Sequence, residues 1–440
     1  MAVTESGAGE AVPTAGPAPA QIRRVALGSA AGTAVEYYDF TIYGLLSVAL
    51  AAHFFKSTDP TAALLATFAV FGVAFVLRPL GGLMFGHLGD RLGRQRVLTV
   101  TILMMTFSTF VIGVLPTYSS IGVLAPVLLL AARVVQGLSA GGEATGAGVY
   151  VAESAPANRR AFFVSGISGG ALFGALVASA LIVGLRYALP ADAMAEWGWR
   201  IPFLISLPIG VVGFWIRRRL EESPQFIEMR NEGRLEGAPV VAAVRGFSRP
   251  ILVAALLTMF PMAGYYLIYI YMPTYMNKVA GFDAMVGFWS STVTLVVACA
   301  ATPMFAALSD RIGRKPMFLV SSVATCVLII PALVVMNSDS VPRAILAHVL
   351  IALPHAAAQS VLMVTLTEQF PAVVRYSGLG LGYNLSAAAA GGSAPFVATW
   401  LVDRTGSVTS PAWFVIALTV LTLAAAISLR ETAGKQLQAA

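Results

Sequence analysis

The chain has 440 residues, of which 58% are hydrophobic and 11% charged, and its mean hydropathy is +0.80. A soluble domain carries about 25% charged residues, because its surface must face water. The composition therefore excludes an ordinary soluble protein and indicates an integral membrane protein. The formal net charge of +7 lies in short loops between apolar segments, where the positive-inside rule explains it without any nucleic-acid partner.

Apolar stretches recur along the chain after a polar start. Residues 1–22 are rich in Ala, Gly and Pro, which is typical of a disordered tail. About 12 stretches then reach the length of roughly 20 residues that a membrane helix needs. Their centres lie near Phe40, Phe75, Phe107, Ala140, Gly174, Pro208, Gly264, Val296, Cys326, His355, Gly391 and Leu421. We therefore predict an all-α membrane protein.

A polar segment near the middle of the chain divides these stretches into two six-helix bundles. The predicted organisation is a tail at 1–22, an N-terminal bundle at 23–217, a cytoplasmic linker at 218–249, a C-terminal bundle at 250–431 and a short tail at 432–440. Proline and glycine residues in the linker disfavour a long helix there.

The basic residues are distributed unevenly between the loops of the two sides. One side holds Arg23, Arg24, Arg91, Arg94, Arg96, Arg159, Arg160, Arg217, Arg218, Arg219, Arg230, Arg234, Arg245, Arg249, Arg311, Arg314, Lys315, Arg375, Arg430 and Lys435. The opposite loops hold Lys56, Arg186, Arg200, Lys278, Arg343 and Arg404. The asymmetry places both termini and the linker in the cytoplasm of a multi-pass protein of the cell membrane.

Two loop motifs occur once in each half. Residues 89–94 read GDRLGR, and residues 309–314 read SDRIGR. A second set follows at one constant offset: Glu153, Pro156 and Arg160 are repeated as Glu368, Pro371 and Arg375. Recurrence of both motifs in the same order indicates duplication of a six-helix unit around a central cavity.

The loop GHLGDRLGRQ at residues 86–95 resembles the signature of the major facilitator superfamily. The segments GTAVEYYDF at 32–40, RPLGG at 78–82, RVVQG at 133–137 and GGE at 141–143 are similar to the metabolite:proton symporter family. The segments YY at 265–266, YMPTY at 271–275 and FPAVVRYS at 370–377 look most like proline/betaine transporters. The resemblance extends from Arg23 to Glu431. It implies the major facilitator fold and transport by alternating access.

Two positions depart from the pattern of that family. Tyr37 stands where the family usually has tryptophan, and Ala144 stands where a large aromatic residue commonly follows. Both changes affect the expected pocket, so the resemblance does not determine which substrate the protein binds.

Glu36 and Asp39 are the candidate proton-coupling residues. They are three residues apart in the first predicted membrane helix, so they share one face. Neighbouring carboxylates in a partly dry setting are suited to take up and release a proton near neutral pH. Both could instead pair with arginines and hold helices together. The family resemblance favours Asp39 as the coupling acid, with Glu36 in support.

Further ionisable residues in the first bundle are candidates for substrate binding. Tyr43 continues the face of Glu36 and Asp39. Arg78 needs a carboxylate or a water-filled cavity, and either acid of the first helix is the expected partner. Arg133, Gln136 and Glu143 face one side of the fourth helix. Arg133 could anchor a substrate carboxylate through its planar fork, or could pair with a carboxylate of the first helix.

The second bundle supplies its own candidates. Tyr265 and Tyr266 lie deep in the seventh helix and could wall a pocket for an ammonium group through cation–π attraction, although helix packing explains them equally well. His355 and Gln359 lie near the middle of the tenth helix. A function for this histidine competes with the commoner role of a satisfied core residue.

The two copies of the loop motif are predicted to form a gate on the cytoplasmic side. Bridges between acidic and basic residues there would hold the halves together and break when they rock. The residues concerned are Asp90, Arg91, Arg94, Asp310, Arg311 and Arg314.

These observations predict a secondary active transporter for a small zwitterion or carboxylate, driven by proton symport. The alternative is a proton-coupled antiporter that exports drugs or metabolites. No phosphate-binding loop, metal-ligand cluster or nucleophile–base motif is evident, so we expect neither an enzyme nor a metal or cofactor. The expected partners are the lipid bilayer, the substrate and protons, with no nucleic acid and no obligate protein partner.

Overall fold

The computed structural model describes residues 19–437 apart from residues 93, 219–238 and 373. Within these ranges, the side chains of residues 19–21, 86–87, 89–96, 98, 144, 217 and 239–243 lie outside the described part. The described part consists of helices and the loops that connect them, arranged in two halves.

Helices α1 to α6 form the N-terminal half. They are α1 (Pro19–Leu45, continued by Ser47–Phe54), α2 (Pro60–Val76 and Arg78–Leu92), α3 (Arg94–Val114), α4 (Leu124–Ala140 and Glu143–Ser154), α5 (Arg160–Ala188) and α6 (Ile201–Arg217). Short helices in the connections are Tyr118–Ile121, Ala157–Arg159, Ala191–Glu196 and Gly198–Arg200.

Helices α7 to α12 form the C-terminal half. They are α7 (Pro239–Gly264, Tyr265–Tyr271 and Met272–Lys278), α8 (Ala284–Ile312), α9 (Arg314–Met336), α10 (Val341–Glu368), α11 (Arg375–Ser386, Ala387–Gly391 and Ala394–Thr405) and α12 (Ser410–Ser428). The face of the molecule on which both ends of the described chain lie is called the terminal face below, and the other is the opposite face.

Local sequence fixes several of these helices. Asp59 accepts a hydrogen bond from the backbone N–H of Thr61 over 2.8 Å at the start of α2, and Pro60 occupies the first helical position, where no N–H is needed. Asp283 caps α8 in the same way through the N–H of Met285, over 2.7 Å.

Length and composition agree with a chain that crosses the bilayer many times. Ten helices within the described ranges are long and apolar enough to span a membrane, and α3 contributes the shorter apolar helix Thr99–Val114. Although α1 has 27 residues, it is not among the ten, because its polar side chains, Glu36 and Asp39 among them, lower its hydropathy. These two additions bring the described spans to the predicted number of about 12.

Glycine allows α1 and α5 to lie in direct backbone contact. A Cβ atom placed on Gly170 would lie 2.3 Å from the carbonyl oxygen of Ala30, and one on Gly174 would lie 2.1 Å from that of Ala34. By contrast, a Cβ on Gly169 would meet nothing within 4 Å. Small residues on one helix face thus set the helix separation, as is common in membranes.

Three helices are irregular near the middle of the protein. Residues Tyr265–Tyr271 of α7 and Ala387–Gly391 of α11 form π-helical turns, and α4 is interrupted between Ala140 and Glu143. Such irregular turns are frequent at functional sites. They place side chains of both halves towards the interface.

Some boundaries differ from those predicted. Helix α1 begins at Pro19, inside the tail predicted at 1–22. Helix α7 begins at Pro239, inside the predicted linker, because a proline is well tolerated at a helix start. The helix is kinked at Phe247. At the other end, residues 432–437, predicted as a tail, contact the terminal face through the hydrogen bonds described below. The predicted linker falls largely on residues 219–238, outside the described part of the chain.

Candidate functional site

Five polar side chains of α1, α2 and α4 are buried in the N-terminal half. Glu36 is 0% exposed, Asp39 2%, Arg78 1%, Arg133 0% and Gln136 1%. A charge in the hydrocarbon region costs at least a few kcal/mol, so each must be compensated or must serve a function. All five were expected at the site from the sequence.

Arg78 and Glu36 join α2 to α1 by an ion pair. Nη2 of Arg78 donates a hydrogen bond to Oε1 of Glu36 over 2.9 Å. Of the two carboxylates expected as partners, the structure selects Glu36. Removal of either group would leave the other charge buried and uncompensated, so this pair contributes to the architecture of the half.

Arg133 is held by a chain of polar side chains rather than by a carboxylate. Its Nη1 donates to Oε1 of Gln136 over 2.6 Å, and Nε2 of Gln136 donates in turn to the hydroxyl of Thr109 on α3. Nε and Nη2 of Arg133 have no hydrogen-bond partner within the described ranges. Thr109 escaped the sequence analysis, because a threonine in an apolar helix carries no signal that separates it from a packing residue.

Aromatic rings lie against both guanidinium groups. The centroid of the Phe40 ring lies 4.6 Å from Cζ of Arg78 and 5.2 Å from Cζ of Arg133. Arg133 also lies 4.0 Å from the ring centroid of Tyr43 and 4.9 Å from that of Phe71. The hydroxyl of Tyr43 donates to a backbone carbonyl of α2. Cation–π contacts, at ~0.5–2 kcal/mol each, therefore offset part of the cost of burying these charges.

Asp39 is a buried acid that forms no ion pair with a cation of the described residues. Neither carboxylate oxygen accepts a hydrogen bond from any described residue. Thr109 lies beside it, but the hydroxyl of Thr109 donates to the carbonyl of Met105. The charges that act on Asp39 most strongly are those of Arg133, Glu36 and Glu143. An acid in this setting is available to a proton or to a cationic ligand.

Tyrosines connect the halves near this cluster. The hydroxyls of Tyr37 and Tyr383 lie 3.1 Å apart, and the rings of Tyr37 and Tyr265 meet edge to face at 4.9 Å. Tyr265 donates to the carbonyl of Ala171 on α5 over 3.2 Å. Tyr266 packs on the ring of Tyr265, and its hydroxyl has no partner among described residues. The sequence placed Tyr37 near the expected pocket but gave no sign of Tyr383, because only the packing of α1 on α11 brings their hydroxyls together.

The two candidates on α10 have different surroundings. Nε2 of His355 lies 2.9 Å from the carbonyl oxygen of Pro261, and Nδ1 lies 3.2 Å from the hydroxyl of Tyr269. Because a carbonyl only accepts, the geometry assigns a proton to Nε2, and both ring nitrogens have a partner, which favours the packing role. Gln359 has an unpartnered Oε1 among described residues, and its backbone carbonyl accepts from Ser168 on α5 over 2.8 Å.

The interruption of α4 is completed by α11. Nδ2 of Asn384 donates to the carbonyl of Gly141 over 2.7 Å, and the hydroxyl of Tyr376 donates to that of Gly142 over 3.1 Å. Glu143, only 2% exposed, begins the second helix of α4, where a carboxylate suits the helix dipole. The C-terminal half thus adds hydrogen bonds to backbone carbonyls at the break in α4.

On the terminal face, Asp310 bridges the two halves. Its two oxygens accept the backbone N–H groups of Ala161 and Phe162, each over 3.0 Å, at the start of α5. Nη1 of Arg314 donates to the same carboxylate over 2.9 Å. Arg311 is exposed and forms no ion pair with a described residue. Asp310 and Arg314 therefore lie together where the halves meet, and the gate itself stays a prediction.

The other half of the predicted gate cannot be compared. The side chains of Asp90, Arg91 and Arg94 lie outside the described part of the chain.

The second repeated motif also meets across the halves. Nη1 of Arg160 donates to Oε1 of Glu368 over 2.9 Å, and Nη1 of Arg375 donates to Oε1 of Glu153 over 2.7 Å. Arg314 adds a longer contact to Glu368, at 3.3 Å. Each glutamate thus pairs with the arginine of the opposite copy. In the sequence this repeat indicates only duplication, because nothing local shows which copies meet.

The halves also touch on the opposite face. The hydroxyls of Ser179 on α5 and Thr292 on α8 lie 2.7 Å apart. Nε1 of Trp289 donates to the hydroxyl of Tyr187 over 3.1 Å. The halves therefore make contacts on both faces of the molecule.

Comparison with known proteins identifies the family. The family model of the Major Facilitator Superfamily matches residues 30–381 and again residues 283–439. The chain belongs to the major facilitator superfamily. It is accordingly a multi-pass membrane transporter. The two overlapping matches agree with the duplicated motifs.

Relatives cover nearly the whole chain. A glycine betaine/proline/ectoine/pipecolic acid transporter, OusA, of Dickeya dadantii is 35% identical over 429 residues, which is 96% of this chain and 85% of the relative. The proline/betaine transporter of Escherichia coli K12 is also 35% identical, over 96% of this chain and 86% of its own. These are the relatives that the sequence resemblance indicated.

Solved structures of this superfamily have the same fold. The proton:xylose symporter XylE, bound to 6-bromo-6-deoxy-D-glucose, superposes with a TM-score of 0.78, covering 95% of this chain and 98% of its own. A partially occluded, inward-open form of XylE from E. coli has a TM-score of 0.75. Their sequence identity to this chain is 17%, so this likeness establishes the fold alone.

Proposed function

We propose that this protein is a proton-driven symporter that carries a small zwitterion of the proline or betaine kind by alternating access. The observation that carries the proposal is the arrangement of Asp39 and Arg133. Asp39 is a buried acid whose oxygens accept no hydrogen bond from a described residue, and Arg133 is a buried cation with two unpartnered nitrogens, Nε and Nη2.

A zwitterion suits these two groups because it carries both complementary charges. The Nε–Nη2 edge of Arg133 can donate two parallel hydrogen bonds to a substrate carboxylate. Gln136 supports that geometry, since it holds Nη1 on the other side of the guanidinium. The ammonium group would face Asp39 and the nearby rings, of which Tyr43, Tyr265 and Tyr266 are the candidates.

Proton coupling is assigned to Asp39. Glu36 is already paired with Arg78 over 2.9 Å, so it serves in support by fixing α1 against α2. Asp39 accepts no hydrogen bond from a described residue, so it can bind and release a proton. In the deprotonated form it can interact with the substrate or with Arg133. His355, Gln359 and Glu143 are secondary candidates that would shape the C-terminal wall and the broken part of α4.

The names of the relatives support the substrate class. Proteins that share 35% of their residues with this chain over 96% of its length are named for proline, glycine betaine, ectoine and pipecolic acid. Each of these compounds combines a carboxylate with a cationic nitrogen, which is the charge pattern that Arg133 and Asp39 complement.

The proposal includes an orientation. The loops rich in arginine and lysine lie on the terminal face, so the positive-inside rule places this face in the cytoplasm. The bridges of Arg160 with Glu368 and of Arg375 with Glu153 then close the cytoplasmic side and must break when the substrate is released inward.

Transport into reconstituted vesicles tests the function. Labelled proline and glycine betaine should accumulate when the outside is made acidic, whereas shikimate and 2-oxoglutarate should accumulate less. Vesicles without the protein and vesicles without the gradient are the controls. Outward movement of substrate against proton entry would instead establish an antiporter, and the absence of gradient-dependent movement of all four compounds would refute the proposal.

Two analogues test the assignment of charges. Pyrrolidine lacks the carboxylate of proline, and tetrahydrofuran-2-carboxylate lacks its ammonium group. In the wild-type protein each should compete with labelled proline far more weakly than proline does. In Arg133→Gln, pyrrolidine and proline should compete about equally, because the guanidinium that binds the carboxylate is absent. If the wild-type preference for proline persists in that variant, the carboxylate binds elsewhere.

A further inference from the structure

The chain beyond α12 contacts the terminal face through a set of hydrogen bonds. We name residues 429–437 the strap. The carboxylate of Glu431 accepts the backbone N–H groups of Arg314 over 2.9 Å and Lys315 over 3.1 Å, at the start of α9. It also accepts those of Thr432 and Ala433 in the strap itself. One side chain therefore binds the strap to α9.

Glu431 replaces a cap that α9 does not provide for itself. Gly313, the residue before α9, forms no side-chain cap, so the first N–H groups of the helix need an external acceptor. A carboxylate is also favoured there by the helix dipole. Gly313 has φ of 109°, and a Cβ atom on it would lie 2.4 Å from Oε2 of Glu431. Glycine at this position leaves room for the carboxylate.

A second contact, made by a lysine of α9, joins the start of α9 to the end of α12. Nζ of Lys315 donates to the carbonyls of Ile427 over 2.6 Å and Leu429 over 3.2 Å, where the helix C-terminus favours a cation. Glu431 at the start of α9 and Lys315 at the end of α12 thus fix the origin of the strap from both sides.

The strap then reaches the bridges between the halves. The hydroxyl of Thr432 donates to Oε2 of Glu368 over 2.5 Å. Nη1 of Arg160, which pairs with Glu368, also donates to the backbone carbonyl of Lys435 over 3.0 Å. Because Arg160 belongs to the N-terminal half and Glu368 to the C-terminal half, the strap is held by both.

We propose that Glu431 is a positioning residue of the gate on the terminal face, and that the strap it anchors is a latch that must release before this face opens. The inference depends on the proposed function only in that the gate opens during transport. Glu431 touches neither the buried cluster nor any expected substrate contact. It acts by placing Thr432 and Lys435 against the bridge of Arg160 with Glu368.

Labelling of a cysteine behind the gate tests the latch. Cys299 and Cys326 are first replaced by alanine, and Ser165→Cys supplies the probe. Ser165 is 3% exposed, and its hydroxyl bonds to the carbonyl of Phe162 in its own helix. We expect Glu431→Gln to raise the rate of labelling by N-ethylmaleimide at least about fivefold, because a charge-assisted hydrogen-bond set is lost.

A second variant and a control make the result decisive. Thr432→Val removes one hydroxyl and keeps the shape of the side chain, so it should raise the labelling rate in the same direction without unfolding the protein. Glu196→Gln removes an exposed charge in the short helix Ala191–Glu196, away from the gate, and should leave the rate unchanged. Unchanged labelling in both strap variants, or an equal rise in Glu196→Gln, would overturn the proposal.

The labelling assay keeps this proposal separate from the proposed function. It needs neither substrate nor a proton gradient. A protein that fails to transport proline or betaine can still show the latch, and a protein that transports both can still lack it.

Discussion

The guanidinium of Arg78 donates a hydrogen bond to the carboxylate of Glu36 over 2.9 Å, and both side chains are at most 1% exposed. The pair links α2 to α1 directly beside Asp39, which has no such partner among described residues. One acid of the first helix is therefore committed to structure, and the other remains available for chemistry.

Because Arg78 and Glu36 are paired, we expect each single variant of the pair to be much less stable than the double variant. Arg78→Gln or Glu36→Gln alone should lower the free energy of unfolding by about 3–5 kcal/mol, because each leaves a buried charge without its partner. The double variant should recover most of that loss. Thermal unfolding in detergent measures it, and a double variant as unstable as the sum of the singles would contradict the pairing.

Asp39→Asn should abolish accumulation of substrate against its gradient, because an amide cannot carry the proton. Exchange of labelled for unlabelled substrate should persist in part, since exchange needs no net proton movement. Both are measured in the same vesicles, with wild-type protein as the reference. Full gradient-driven accumulation by the variant would remove Asp39 from the coupling role.

Tyr37 and Tyr38 provide a matched pair. The hydroxyl of Tyr37 meets that of Tyr383 in the other half, whereas the hydroxyl of Tyr38 donates to the carbonyl of Pro202 within the N-terminal half. Each change to phenylalanine should cost about 0.5–1.5 kcal/mol of stability. We expect only Tyr37→Phe to change the rate of exchange, because only it weakens the contact between the halves. Equal rates in both variants would show that this contact does not limit the conformational change.

Gly170 and Gly169 test the close contact of α1 with α5. Gly170→Ala would place a Cβ atom 2.3 Å from the carbonyl oxygen of Ala30, whereas Gly169→Ala meets nothing within 4 Å. The first should lower the unfolding temperature markedly and reduce the yield of folded protein. The second should be neutral or slightly stabilising, because alanine favours helices by up to about 1 kcal/mol over glycine. Similar unfolding temperatures for the two variants would contradict the packing.

We expect the stability of the folded protein to depend on pH through the carboxyl group of Glu431. Burial alone would raise the pKa of this carboxyl, but the backbone N–H groups of Arg314, Ala433, Lys315 and Thr432 outweigh burial and hold the pKa below its ordinary value of 4.5. A lowered pKa in the folded state adds stability above the unfolded-state pKa, and that stability is lost as the pH falls through the folded-state pKa.

The comparison of wild type with Glu431→Gln measures this contribution. The wild-type protein should unfold at the higher temperature at neutral pH, and the difference should shrink as the pH falls below about 4.5, near the ordinary value for glutamate. A difference that stays constant down to strongly acidic pH would show that the carboxylate does not provide the stabilisation.

Most of the architecture could be predicted from the sequence, because it depends on local properties. Hydropathy and segment length identified the membrane spans even though Glu36 and Asp39 lower the hydropathy of α1. Repeated motifs revealed the duplication, and the family resemblance led to the relatives that the comparisons then gave. Arg78, Arg133 and Asp39 stood out because charges are rare and costly within apolar segments.

Which of these residues meet depends on how the helices pack. Helix packing, with glycines such as Gly170 fixing the separations, pairs Arg78 with Glu36 rather than with Asp39. It also brings Thr109 to Gln136 and Tyr37 to Tyr383. Each of these contacts joins residues far apart in sequence, and their side chains carry no local pattern that names a partner. The strap is the extreme case, since Glu431 lies in a segment predicted to end the bundle, and its role arises only because α9 begins without a cap of its own.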